Sequence, residues 1–410
     1  MVVAGSPPAQ AVIPIGEGRV NDPPPSIMMP ICIDGRLLSA AGMGSTTYAR
    51  NLLAMLEENG RAPLVLDDDR PLREAGRKTL AEKSLRWLRA RMSGRVRLRQ
   101  DGDRLAARDI FRLAQVRFDA TGELLRLEPP LPRGVMHWTY PVPIRMAGWA
   151  NLYTVHDAIP LLHPDLTPID PVRHRRLLTV IEAGATRLVT VSAQARRDIA
   201  GALAIDPARI VDAGQGVVIE TPASGPLPPG IRRSAYFLVC GTVERRKNIA
   251  RLVAAWRAAR TGLPLVVVGP DGHGAAEVAA LLAGEGVIRL QHLPRADVLA
   301  LIRDATALLF PTLAEGFGLP IVEAMRLGTP VMTSRGGATE EVAGGAAALV
   351  DPLDVGDMAQ AIGRLATDRG WTEGLVACGH DRAAAFSRLA FAERLLPLYD
   401  SVIAEMTRLA

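Results

Sequence analysis

The sharpest chemical feature of the chain is EGFGLPIVE, in which Glu315 and Glu323 bracket two glycines. The run ALLFPT precedes it and PIVEAMRLG follows, so the glycines fall where a strand gives way to a helix, and Pro320 suits a first helical turn. The backbone amides of Gly316, Phe317, Gly318 and Leu319 could then point at an anion such as a diphosphate, with the glycines allowing close approach. Carboxylates repel phosphate, so Glu315 in the loop and Glu323 about a turn into the helix suit sugar hydroxyls on either side of it. Taken as spacing alone, a helix cap at Glu315 and a solvated Glu323 are the better reading.

Other residues admit two readings each. His156 and Asp157 follow the apolar run ANLYTV, at the strand end where open α/β sheets bind ligands; a His-Asp pair there is more often a turn and a helix cap than a catalytic pair. The loop Gly42-Met43-Gly44-Ser45-Thr46 ahead of a helix could approach a phosphate or simply make a tight turn. Asp67-Asp68-Asp69 contains a formal DxD but reads as a solvated strand end, and no metal is expected. VVVGPDGHG is not GxGxxG and no ribose-binding acid follows it in context, which argues against NAD. Cys32, Cys240 and Cys378 lie far apart with no CxxC pair, so neither a disulfide framework nor a zinc site is indicated, and all three are expected to be buried thiols.

Alternating elements would position these residues. PICIDGRLL, APLVLDD, ANLYTV and RLVTVS read as strands with helical patterns between them, such as YARNLLAMLEENG. TPASGPLPPG then breaks the pattern, and a second series begins: AYFLVCG, PLVVVGP, VIRLQHL, TALLFPT, PVMTS and AALVDP as strands, NIARLVAAWRAAR and ADVLALIRDA as helices. The expectation is an α/β chain of two doubly wound units: a disordered tail at 1–27, a first domain at 28–222, a linker at 223–232, a second domain at 233–385 and a closing amphipathic helix at 386–410 that could pack back on the first domain. A cleft between the two units is the default ligand site.

Bulk properties fit this picture. The 410 residues are 48% apolar and 22% charged, globular values for about two domains. No stretch reaches the roughly 20 apolar residues of a membrane span, and the first residues lack a secretion signal, so a cytoplasmic protein is expected. The net charge of +5 hides a local excess: residues 70–117 hold fifteen basic and five acidic residues, a net +10. Within 79–93, Ala81, Leu85, Leu88 and Met92 make an apolar stripe flanked by Arg86, Arg89 and Arg91, a pattern for a helix packed on its own domain or docked on an anionic membrane. The 4% aromatic content and lack of a binding motif argue against nucleic acid.

Set together, EGFGLPIVEAM, CGTVERRKNIARLV, NLYTVHDAIPL and VTVSAQARRDI resemble, in order, the motifs of retaining group 1 (family 4) glycosyltransferases, over about 31–400. Among these the chain is most similar to bacterial mannosyltransferase-like members that build cell-surface polysaccharides. The resemblance implies a GT-B fold, two Rossmann-like domains with the nucleotide sugar held mainly by the second, and a metal-independent enzyme without cofactor, the nucleotide sugar being a substrate. It implies that Glu315 binds hydroxyls of the transferred sugar, Glu323 the ribose diol, and Arg246 and Lys247 the diphosphate, Lys247 being one of three lysines. His156 would lie near sugar and acceptor and position them, with Asp157, Gly42 and Gly44 bordering the acceptor or phosphate. Two departures leave choices open. Gly241 is followed by Thr242 where many members carry Arg, so Arg245 or Arg246 would meet the diphosphate; and Gln291, His292 and Leu293 stand where the base-contacting strand end usually has glycine.

The activity so implied is transfer of a hexose, with mannose from GDP-mannose the leading choice, to a lipid-linked oligosaccharide at the inner face of the membrane. A UDP-sugar transferase acting on a soluble acceptor and a catalytically silent binding module are the alternatives.

Overall fold

The computed structural model describes residues 29–38, 44–69 and 94–408. The expected tail, Gly42 and the basic stripe of 79–93 lie outside them. In chain order the strands are β1 (Ile31–Asp34), β2 (Leu64–Asp68), β3 (Arg95–Arg97), β4 (Arg99–Asp101), β5 (Arg104–Ala107), β6 (Leu125–Glu128), β7 (Val135–Trp138), β8 (Ile144–Met146), β9 (Ala150–Thr154), β10 (Arg187–Thr190) and β11 (Ile210–Asp212), then β12 (Phe237–Cys240), β13 (Leu265–Val268), β14 (Val287–Leu290), β15 (Ala307–Phe310), β16 (Val331–Ser334) and β17 (Ala348–Val350).

The first eleven strands make two sheets. One runs β11-β10-β9-β7-β1-β2-β5-β4, parallel except for the β4–β5 pair, and the other is a small sheet β3-β6-β8. The sequence reading puts helices between Asp68 and Ala150, whereas the structure has β3 to β8 there in addition to the helix Ile110–Thr121. The reason is physical. These strands are three or four residues long, and β3 (RVR) and β4 (RQD) lie largely exposed, so neither has the apolar run or alternation that marks a strand.

The last six strands form one parallel sheet in the order β14-β13-β12-β15-β16-β17, the doubly wound arrangement in which the chain winds outward from the centre in both directions. Strands such as FLVC and LVVV are buried at every position because helices cover both faces. The order reverses between β12 and β15, so the loops leaving these neighbours diverge and open a crevice at their C-terminal ends. In the first sheet the reversal falls between β1 and β7.

The chain crosses between the sheets twice, through 213–236 and again near 384–388. After the second crossing the helix Arg388–Arg408 packs on the first unit: Tyr399 reaches His137 at 2.5 Å, Arg187 pairs with Glu405 at 2.8 Å, and Arg394 donates to the Ala213 carbonyl at 2.9 Å. Cys32 and Cys240 are buried as expected, but Cys378 is exposed, because it lies on the solvent side of the helix Arg369–Ala384. Among the described residues no helix is long and apolar enough to cross a membrane.

Candidate active site

The crevice between β12 and β15 brings together the two motifs of the second domain. After β12, Gly241 (φ +112°) turns the chain, and a short 3-10 turn, Arg245–Lys247, leads to Asn248 in the left-handed conformation (φ 60°), which asparagine tolerates better than most residues. The Asn248 amide donates to the carbonyls of Pro311 (3.2 Å) and Pro352 (2.6 Å), and Leu313 N–H donates to the Arg246 carbonyl (2.8 Å). These bonds lock the basic turn against the loop that follows β15.

On that loop, Glu315 accepts through one carboxylate oxygen from both Arg246 Nη1 and Lys247 Nζ, each at 2.5 Å. Arg246 also pairs with Glu244 at 2.6 Å, and the Lys247 ammonium sits 4.1 Å from the centroid of the Phe310 ring. Burial pushes Glu315 up, but the two cations outweigh it and hold the carboxyl below its ordinary range. Burial pulls Arg246 down, yet Glu315 and Glu244 leave it above the ordinary arginine value. Lys247, more deeply buried and next to Arg246, ends below the ordinary lysine value despite Glu315. Arg245 points away: it is more exposed and pairs with Glu277. Of the two arginines the sequence leaves open, Arg246 is the one beside Glu315 and Lys247. Glu315 is thus an ion-pair partner and not the cap of the following helix.

Gly318 takes φ +104° at the N-cap of the helix Leu319–Leu327, with Pro320 inside its first turn. The N–H groups of Gly316, Phe317, Gly318 and Leu319 donate to no partner among the described residues, as an anion cradle requires. The Phe317 ring is not part of it; it is buried against Phe386 at 5.3 Å, so only its amide faces this site. Glu323, only 3% exposed, is not solvated: Arg295 grips both of its carboxylate oxygens, with one contact at 3.2 Å. Sequence reasoning missed Arg295. The signal was a cation opening the helix Arg295–Arg303, where the helix dipole disfavours positive charge, which calls for an acidic partner. His292 is exposed just beyond β14, and Leu293 is half-buried against the core. Thr242 packs beside Gly272, and a side chain at Gly241 would approach the Lys247 ammonium to 3.8 Å.

The first domain closes on this loop directly. A Cβ at Gly316 would run into the His156 carbonyl oxygen, and Gly316 C=O accepts from Ser192 Oγ at 2.7 Å. Gly44 lies against Leu319, with 3.5 Å between its Cβ position and Cδ1. Asp157 caps the turn beginning at Ile159 (2.9 Å), as the plainer reading has it; burial raises its pKa, and the charges of Arg246 and Glu315 act on it across the cleft. His156 points Nε2 at the Thr139 carbonyl (2.9 Å), and burial lowers its pKa to about 4. A carbonyl only accepts, so Nε2 carries the proton and Nδ1 keeps a lone pair. Glu341, from the second domain, accepts from the Ala193 and Gln194 amides at 2.8 and 2.7 Å, at the N-terminus of the helix Ala193–Leu203. Among the described residues, no group of three or more His, Cys, Asp or Glu gathers as metal ligands do; Asp67 and Asp69 pair with Arg104 and Arg99.

Residues 234–368 match the family model described as glycosyl transferases group 1. O-antigen chain mannosyltransferase B of Escherichia coli is 31% identical over 252 residues, 57% of this chain and 66% of that protein. MMP alpha-(1->4)-mannosyltransferase of Mycolicibacterium hassiacum is 30% identical over 229 residues, 53% of this chain and 55% of that protein. The chain therefore matches somewhat under two thirds of each relative's length. Among solved structures, the Anabaena protein HepE in complex with UDP and glucose superposes with a TM-score of 0.64 at 15% identity, over 91% of this chain and all of that one, a likeness of fold. The family model falls on the sheet that carries Lys247 and Glu315, both Rossmann-like halves are present, and the chain carries a glycosyl transferases group 1 domain at 234–368 within a GT-B fold.

Proposed function

We propose that the protein is a retaining, metal-independent hexosyltransferase that moves mannose from GDP-mannose to a lipid-linked oligosaccharide. The observation that carries glycosyl transfer is the convergence of Lys247 and Arg246 on Glu315, beside four unpaired amides at a helix N-terminus. A departing nucleoside diphosphate gains negative charge in the transition state, and fixed cations and amides stabilise that charge more than the ground state. As the diphosphate takes over the two cations, Glu315 is released to accept sugar hydroxyls, and Glu323 with Arg295 fits a ribose diol. The sugar–phosphate bond breaks while the acceptor oxygen bonds the same carbon from the same face, and the acceptor proton passes to the leaving phosphate oxygen. His156, neutral and with Nδ1 open, positions the acceptor hydroxyl without forming a bond to the sugar.

The two mannosyltransferase relatives support mannose as the transferred sugar. The local arginine excess supports a place at the inner, anionic face of the membrane, where a lipid-linked acceptor would reside. Purified protein incubated with GDP-mannose or UDP-glucose and membrane extract tests the reading. Mannose incorporated into lipid, lost in Glu315→Ala with its fold intact, is expected. Transfer from UDP-glucose to a soluble acceptor would replace mannose by the UDP-sugar alternative, and turnover of neither donor, with nucleotide still bound, would leave a binding module.

A further inference from the structure

The reversal point of the first sheet holds a buried polar chain that the reaction as described does not use. Asp34 ends β1 and Thr139 follows β7, the strand beside it. Both are buried, with Asp34 1% exposed. One Asp34 carboxylate oxygen accepts from Thr139 N–H at 2.7 Å and the other from Thr139 Oγ1 at 2.8 Å. The Thr139 carbonyl in turn accepts from His156 Nε2, which enters from the end of the next strand, β9. The His156 ring is also held on its faces: Tyr48 meets it edge-on at 5.1 Å and Tyr140 stacks at 6.1 Å, with the Arg36 guanidinium 5.7 Å from the Tyr140 centroid.

The peptide leaving a strand end is free to turn unless its neighbours are fixed. Asp34 fixes Thr139 at two points, through its amide and its hydroxyl, and so anchors the residue that supplies the one carbonyl His156 uses. An acceptor at Nε2 selects the Nε2–H tautomer and leaves Nδ1 as the basic nitrogen. We propose that Asp34, acting through Thr139, is a positioning residue that sets the tautomer and orientation of His156 toward the acceptor. This inference rests on the transferase reading only for its catalytic consequence; the tautomer can be read without turnover.

The test uses the full chain labelled with 15N-histidine, in the wild type, Thr139→Val, Thr139→Ser, Asp34→Ala and Asp34→Asn, with His156→Ala to assign the signal among the seven histidines. The wild type and Thr139→Ser are expected to show a neutral Nε2–H imidazole. Asp34→Asn, whose carboxamide can accept from the Thr139 amide and donate to its hydroxyl and so keeps both contacts, is expected to preserve it, while Asp34→Ala, which loses both, and Thr139→Val, which loses the hydroxyl contact, mix the tautomers. Thr139→Val carries the test if Asp34→Ala does not fold. Hydrolysis of whichever nucleotide sugar the wild type turns over is the second readout: kcat is expected to fall about 10- to 100-fold in Asp34→Ala at unchanged donor KM. In an Asp34→Ala/His156→Ala double variant the losses should not add. An unchanged His156 signal in both disrupted variants overturns the proposal whatever the activity, and so do additive losses. A wild type inert toward every nucleotide sugar contradicts the transferase reading and leaves the tautomer result standing by itself.

Discussion

At the residue scale the site turns on one shared oxygen of Glu315. Because Lys247 and Arg246 both bond it, the two sides of the pair respond oppositely to removal. Glu315→Ala is expected to abolish turnover yet keep or tighten nucleoside diphosphate binding, since it frees Lys247 and leaves Arg246 with Glu244 alone. Lys247→Ala is expected to weaken diphosphate binding at least 10-fold, the loss of a charge-assisted bond of about 1.5–3 kcal/mol. Titration calorimetry with GDP reads both, and weaker binding in Glu315→Ala would contradict the arrangement. Acid sensitivity follows from the histidines. Burial holds His137 at about 3, and His156 and His174 at about 4, against 6.5 in the unfolded chain. Their contribution to stability is complete above 6.5 and is lost as pH falls toward 4, where the unfolded chain binds the extra protons. Asp34 opposes this: burial raises it from 3.8 to about 6, so acidification through that window favours the folded state. Asp157 and Asp212, also raised by burial, act with Asp34, and Glu315, held low by its two cations, acts with the histidines; the three histidines are expected to prevail, so that Tm falls on acidification from about pH 6.5 to about 4.5, and a rising Tm would contradict these burials. Of the residues involved, Glu315, Glu323, Lys247 and His156 are legible in sequence because each lies within a local motif. Ser192 is legible as part of VTVSAQARRDI but its bond to Gly316 is not, and Arg295, Glu341 and the Asp34–Thr139 pair are not legible, because their partners lie on other elements and meet only once the sheets order them.

At the element scale the second sheet was readable and much of the first was not. FLVC, LVVV and ALLF are continuous apolar runs because both faces are covered, a signal that survives without context. β3 and β4 carry more arginine than apolar surface and acquire strand character from their neighbours, β6 and β5. The loop-and-helix element at Gly316–Leu327 makes a sharp demand on shape. Gly316→Ala would drive its methyl into the His156 carbonyl, so the loop must withdraw from the first domain. Turnover is expected to fall at least 100-fold with Tm nearly unchanged, consistent with the cost of about 1 Å of misplacement; full activity would show that the contact is not needed. Asn248→Ala removes two carbonyl partners and a residue suited to positive φ, and is expected to lower stability by about 2 kcal/mol, read by urea denaturation.

At the scale of the whole molecule, the two Rossmann-like halves meet through specific bonds as well as apolar packing. Glu341 caps a helix of the opposite domain and Ser192 holds the Gly316 carbonyl, so two hydrogen-bonded contacts tie the glycine loop and its neighbouring helix to the first domain. Glu341→Ala is expected to open the cleft, raising donor KM several-fold and the radius of gyration in small-angle scattering; unchanged values would show that the packing alone keeps it shut. The central claim is that the crevice at β12 and β15 is a nucleoside diphosphate site built on Lys247 and Arg246. Thermal unfolding with GDP, UDP, ADP and dTDP, in the wild type and in Lys247→Ala, tests it most directly. A ligand at about 100 times its Kd stabilises a protein by about 2.7 kcal/mol, so the account predicts a clear rise in Tm with one of them, GDP for a mannosyl donor, and its loss in Lys247→Ala. No rise with any nucleotide, or an equal rise in the variant, would contradict it.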